Sequence, residues 1–175
     1  SAGITKLFET KDSSASWKMV STGCSRFALK VNTLTEKYET STKPELAALV
    51  AEGLVGAGIK ADKITIFDRG IKCGQDSDKC KERNSFKTAG YKVNRTGPGV
   101  KSYETRTYGG WIALGAGKNR FFKEIDENDC LVNMPLLKDH HIMGYTFSLK
   151  NHIGSVTNPE LLHPNAGIPW IADLN

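Results

Sequence analysis

Phe27-Ala28-Leu29-Lys30-Val31-Asn32 is a short, mostly apolar run that reads as a strand. A polar stretch follows at residues 33–43, with Thr42 three residues before Glu45, the spacing of a capping box that opens a helix. Pro44 falls in the first turn, where its missing N–H leaves no hydrogen bond unmade. Leu46, Leu49, Val50, Gly53, Leu54 and Ala57 recur at helical spacing and predict one apolar stripe. Gly56 and Gly58 close the helix with residues that tolerate a left-handed turn. Lys63-Ile64-Thr65-Ile66-Phe67-Asp68 is a second strand, rich in β-branched residues and ended by Arg69-Gly70. Strand, helix and strand within about forty residues make a βαβ unit, so a parallel pair is expected. The fold class is α/β: a mostly parallel sheet with flanking helices in three layers.

Working outward, the last third is again well patterned. Phe121-Phe122-Lys123-Glu124-Ile125-Asp126 leads into residues 129–135, a buried-looking strand closed by Pro135. Asn32, Asp68 and Asn133 then stand at the ends of three strands, and in a parallel sheet all three line one edge. Open α/β sheets present their ligand-binding groups along that carboxyl edge. The middle is less patterned. Residues 75–89 read as a polar surface helix, and residues 91–94 and 103–108 as short strands around the Gly97-Pro98-Gly99 turn. Gly115-Ala116-Gly117-Lys118 lacks the spacing and the Ser or Thr of a phosphate loop.

Composition sets the outer bounds. The 175 residues are 39% hydrophobic and 25% charged, within the globular range and suited to one domain over 1–175. Every apolar run falls far short of the ~20 residues needed to span a bilayer, so no membrane span is expected. The formal charge of +5 comes from scattered side chains, with no basic block and no aromatic-basic interleaving. Nucleic acid is therefore not the expected partner. Among the four cysteines only Cys73 and Cys80 lie close in sequence. They suit neither a Cys-x-x-Cys motif nor a zinc knuckle, and a loop-closing disulfide and two ordinary thiols stay open as readings.

Chemistry concentrates after Pro135. His140, His141 and His152 fall within thirteen residues, with His163 further on, and Lys138 and Lys150 bracket them. Imidazole serves as a metal ligand or proton shuttle near neutral pH. Lysine beside polar groups holds an anion, or turns nucleophilic where burial lowers its pKa. The plain alternative is a histidine-rich surface turn before a short helix.

The segment Asp129-Cys-Leu-Val-Asn-Met-Pro-Leu-Leu-Lys-Asp-His140, followed by Gly144-Tyr-Thr146, Leu149-Lys150-Asn151 and Gly154, resembles the signature of the domain of unknown function 362 family. Leu29-Lys30-Val31-Asn32, Lys43-Pro44-Glu45-Leu46 and Ile64-x-Ile66-x-Asp68-Arg69 match that pattern in order, so the resemblance covers about residues 25–175. Some members of the family carry an iron-sulfur ferredoxin domain, and many are exported with twin-arginine signals. The resemblance therefore implies an exported, periplasmic protein whose signal has been removed. Without a four-cysteine motif, no iron-sulfur cluster is expected within this chain. Relatives usually continue through further strands, which implies either a fragment or a member shortened at its carboxyl end. His140-x-x-x-Gly144-Tyr145-Thr146-x-x-x-Lys150 is also similar to a segment of lactate racemase-type nickel-pincer proteins. That likeness implies an acid/base or contact role for His140 and a cofactor anchor at Lys150; residues 147–149 and Asn151 depart from it.

Two functions are expected from these readings. In the first, the domain binds an anionic cofactor, substrate or metal at the carboxyl ends of its strands, with redox chemistry there. Lys30, Asn32, Asp68, Asn133, Lys138, Thr146 and Asn151 hold the ligand, His140 and Lys150 act on it, and His140 and His152 serve as metal ligands. Histidine and carboxylate without thiolate suit zinc, nickel or iron. The partners are then a small anionic ligand and a redox partner or a second copy. In the second, the chain is a non-enzymatic structural or assembly subunit, and the same polar residues tie strand ends to loops.

Overall fold

In the computed structural model, residues 2–33, 39–69, 71, 86, 91–95, 112–114, 117–167 and 170–175 are described. Helices α1 (Ala2–Leu7) and α2 (Ser13–Val20) precede strand β1 (Phe27–Lys30). Helix α3 (Pro44–Gly56) carries the chain to β2 (Ile64–Asp68), and β3 (Lys92–Arg95) follows. A two-stranded antiparallel ribbon, β4 (Ile112–Leu114) and β5 (Gly117–Asn119), leads to α4 (Lys123–Asp126) and β6 (Cys130–Asn133). Beyond it come a hairpin of β7 (Lys138–His140) and β8 (Gly144–Thr146), then α5 (Ser148–Asn151), a series of 3-10 turns, and α6 (Trp170–Asp173).

The main sheet is parallel throughout, in the order β3-β2-β1-β6. Every residue of β1 and β2 is buried. Because successive side chains point to opposite faces, both faces of these strands are covered, as the three-layer expectation requires. One hydrophobic cluster joins Phe27, Leu29, Ile64 and Ile66 to Ala47, Ala51 and Leu54 of α3. A second, around Ile153, Val156 and Leu162, holds the carboxyl-terminal turns.

Several readings change in detail. The buried stripe of α3 is Ala47, Ala51 and Leu54, whereas Leu46 and Leu49 are exposed. Gly53 is packed on Trp17 of α2, where a Cβ would run into the indole. Two alanines join Leu54 in facing the core, and with Gly53 they let the neighbouring elements approach. Thr42 does not cap the helix; Lys43 is the cap residue and makes no side-chain cap bond. The Thr42 hydroxyl instead donates to Met134 O at 2.7 Å and accepts from Asn32 N–H at 2.8 Å, tying the loop after β1 to the end of β6. Pro44 does open the helix and Gly58 takes a φ of 104° after it.

The cysteine reading also shifts. Cys24 and Cys130, 106 residues apart in sequence, form a disulfide. Parallel pairing sets Phe27 opposite Cys130, which brings the segment before β1 to the start of β6. Cys73 and Cys80, most of the expected helix at 75–89, and the strand at 103–108 lie outside the described residues. No helix among the described residues is long and apolar enough to cross a membrane.

Candidate functional site at the carboxyl edge of the sheet

The strand order fixes where a ligand site belongs. From β1 the chain moves outward to β2 and β3, whereas β6 pairs with the other side of β1. The connections thus diverge between β1 and β6, and a crevice opens outside the carboxyl ends of strands at such a switch point. Lys30, Asn32 and Asn133 belong to the ends of, or the loop after, these two strands, and Lys138 opens β7 just beyond β6.

An inner network lies beneath this edge. Lys30 is buried, and its ammonium donates to Asp68 Oδ1 at 2.7 Å, Val31 O at 2.7 Å and Asn151 Oδ1 at 3.2 Å. An ammonium has three N–H groups, so Lys30 is fully used. Burial pushes its pKa down, and the Asp68 carboxylate works against that shift. Asp68 Oδ2 accepts from Thr33 N–H at 2.7 Å and from the Thr33 hydroxyl at 2.8 Å. Asn151 donates through Nδ2 to Lys30 O at 3.2 Å and Asn133 Oδ1 at 2.7 Å, and Asn133 Nδ2 donates to Ser148 O at 2.9 Å. Gly154 closes over the pair: a Cβ there would stand 2.8 Å from Asp68 Oδ1 and 3.0 Å from Lys30 Nζ. The polar ends of β1, β2 and β6 are thereby locked to α5.

An outer cluster sits on the hairpin and α5. Lys138 donates to Asn32 Oδ1 and Thr40 O, each at 3.0 Å, so it bridges the loops at the switch point. Lys150 is half-buried, and no hydrogen bond or ion pair of its ammonium occurs among the described residues. The described salt bridges are Lys30–Asp68 and the exposed Lys63–Asp62. Burial lowers the pKa of Lys138, against a raising pull from Asp68 and Asp139. Burial also lowers that of Lys150, and the charge of Lys138 adds to the effect. His140 is pushed below its ordinary value by burial and then by Lys150, His141, His163 and Lys138. The His140 ring stacks on His141 at 5.0 Å and on His163 at 6.0 Å between centroids.

Hydrogen bonds set the roles of the imidazole nitrogens. Backbone N–H groups of Ile142 and Met143 donate to His140 Nδ1, each at 3.3 Å, which leaves the neutral ring's proton on Nε2. His163 Nδ1 donates to Pro159 O at 2.9 Å, so its Nε2 accepts in the neutral ring. His152 faces Ser155 Oγ at 3.2 Å, and its pKa is lowered to about 4, by burial first and by Lys30 second. Among the described residues, no three His, Cys, Asp or Glu side chains gather as a metal-binding group. Thr146 is buried opposite Lys138 in the hairpin register.

The edge therefore brings together most of the polar residues singled out by sequence and sorts them into two sets, while Thr146, in the hairpin, and His152, on Ser155, join neither. Lys30, Asp68, Asn133 and Asn151 form the inner network; Lys138, Lys150 and His140 form the outer cluster, with Asn32 between them. Thr33, Thr42, Gly154 and His163 also serve the edge. Thr33 carried a signal, since it follows Asn32 directly; the roles of Thr42 and Gly154 depend on contacts across the chain that spacing does not display.

Comparison with known proteins gives one match. Residues 27–168 match the family model described as a domain of unknown function (DUF362), a span running from β1 through the 3-10 turns before α6. No curated protein and no solved structure matches the chain.

Proposed function

The chain belongs to the DUF362 family, and from the polar and charged groups gathered at the carboxyl edge of its sheet we propose that it binds an anionic cofactor or substrate at the switch point between β1 and β6. Lys138, Lys150 and the Nε2–H of His140 contact the anion. Lys30, Asp68, Asn133 and Asn151 hold the edge in place beneath them.

One observation carries this reading. Two half-buried lysines, Lys138 bonded to the loop after β1 and Lys150 on α5, stand at this edge, and no carboxylate bonds to either among the described residues. Half-buried ammonium groups that repel each other are stabilised by an incoming negative charge. The inner lysine differs because its carboxylate is already supplied by the chain. Chemistry beyond binding, redox chemistry included, then resides in the bound group, since lysine and histidine supply charge and protons but not electrons. The Cys24–Cys130 bond favours an oxidising compartment, in keeping with an exported protein.

The structural-subunit reading is favoured by a different observation, the saturation of the Lys30 network. Alanine substitution at Lys150 separates the two. Ligand binding requires a saturable anion affinity in the native chain that falls in the variant while the melting temperature holds. A structural role for Lys150 requires the reverse: a lower melting temperature and no anion affinity to lose.

A further inference from the structure

We propose that the anion taken by the Lys138–Lys150–His140 cluster is a phosphoryl group, doubly charged and tetrahedral, in preference to a carboxylate; this rests on the anion-binding reading above. The donors come from two separate elements, the β7–β8 hairpin and α5. Among the described residues, Lys138 has one N–H left after Asn32 and Thr40, Lys150 has all three, and His140 adds Nε2–H. A single carboxylate is flat and carries one charge, so it leaves one of the two ammonium groups unneutralised, and a dicarboxylate such as malonate splits two charges between two flat groups. A phosphoryl group carries close to two charges at pH 7 and three strong acceptor oxygens spread in three dimensions.

The hairpin register turns its own acid away. In its register Lys138 pairs with Thr146 and His140 with Gly144, so these share one face. Asp139 pairs with Tyr145 and therefore falls on the other face, where both are exposed. Asp68, the other carboxylate acting on Lys138 among the described residues, is committed to Lys30 and Thr33. Among the described residues, the charged groups that shift Lys138, Lys150 and His140 are these two aspartates and the cluster's own lysines and histidines. The cluster thus retains net positive charge at the edge where α/β folds seat phosphorylated ligands.

The test is isothermal titration of the full chain at fixed ionic strength with inorganic phosphate, pyrophosphate and malonate, and sedimentation with phosphatidylcholine vesicles containing phosphatidic acid. Saturable binding of pyrophosphate or phosphate at least about tenfold tighter than malonate is expected, equal to about 1.4 kcal/mol. Lys150→Ala is expected to weaken it at least about tenfold, and Lys60→Ala, at an exposed position, to leave it unchanged. Binding in solution assigns the phosphoryl group to a soluble ligand, and binding to vesicles alone assigns it to a lipid headgroup. Malonate binding as tightly as phosphate overturns the phosphoryl assignment and leaves the anion site standing. No saturable binding of any probe by folded protein overturns both.

Discussion

Lys30 and Lys150 carry the same ammonium to the same edge of the sheet in opposite circumstances. Lys30 is buried with all three N–H groups used, one of them on a carboxylate from the neighbouring strand. Lys150 is half-buried beside a second lysine, with no bonded partner among the described residues. Removing a buried charge from water is offset only by well-placed partners, so Lys30 is an element of the fold. A half-buried cation without a carboxylate remains available to something that is not part of the chain. Saturation of hydrogen-bonding capacity, more than residue type, divides scaffold from site here.

The contrast predicts unequal effects of substitution. Lys30→Met leaves Asp68 buried with Thr33 alone and is expected to cost about 3–5 kcal/mol in urea unfolding. Replacing Asp68 by Leu in the same chain should recover part of that loss, because no uncompensated charge then remains. Gly154→Ala forces a methyl group against the same ion pair and should cost about 1–3 kcal/mol by the same measurement.

The next effect appears with pH. His152 has a folded pKa of about 4 against 6.5 unfolded, so between these values the unfolded chain binds the extra proton. Its contribution is complete above pH 6.5 and is lost as pH falls toward about 4. Because the ring is only partly buried, a loss of about 1–2 kcal/mol is expected after screening by solvent. His152→Gln should flatten that acid slope in unfolding curves collected from pH 7 to pH 4. The smallest expected effect on stability is at the outer cluster: Lys150→Ala should move unfolding by no more than about 0.5 kcal/mol. A loss comparable with that of Lys30→Met would erase the distinction between the two lysines.

Much of this edge was legible in sequence because local patterns determine it. β1, β2 and β6 are apolar runs with polar ends, and Pro44 and Gly58 bracket α3, so the parallel sheet and its three polar strand ends followed from residue order alone. The hairpin was not read as strands because Lys138-Asp139-His140 and Gly144-Tyr145-Thr146 are short and polar, and their pairing depends on the turn between them. The disulfide was missed because its partners meet through strand pairing and not through spacing. Thr42 fitted a capping box, but its hydroxyl found two better-placed partners across the chain. Nor did spacing show which lysine would be saturated, since Asp68 and Asn151 reach Lys30 from 38 and 121 residues away.

Nuclear magnetic resonance of the protein labelled with 13C at lysine Cε, titrated with pyrophosphate, addresses the division of labour at the level of single ammonium groups. The Lys150 and Lys138 resonances should shift together and saturate, while that of Lys30 stays in place. A saturating shift at Lys30 with Lys150 unmoved would reverse the assignment of scaffold and site.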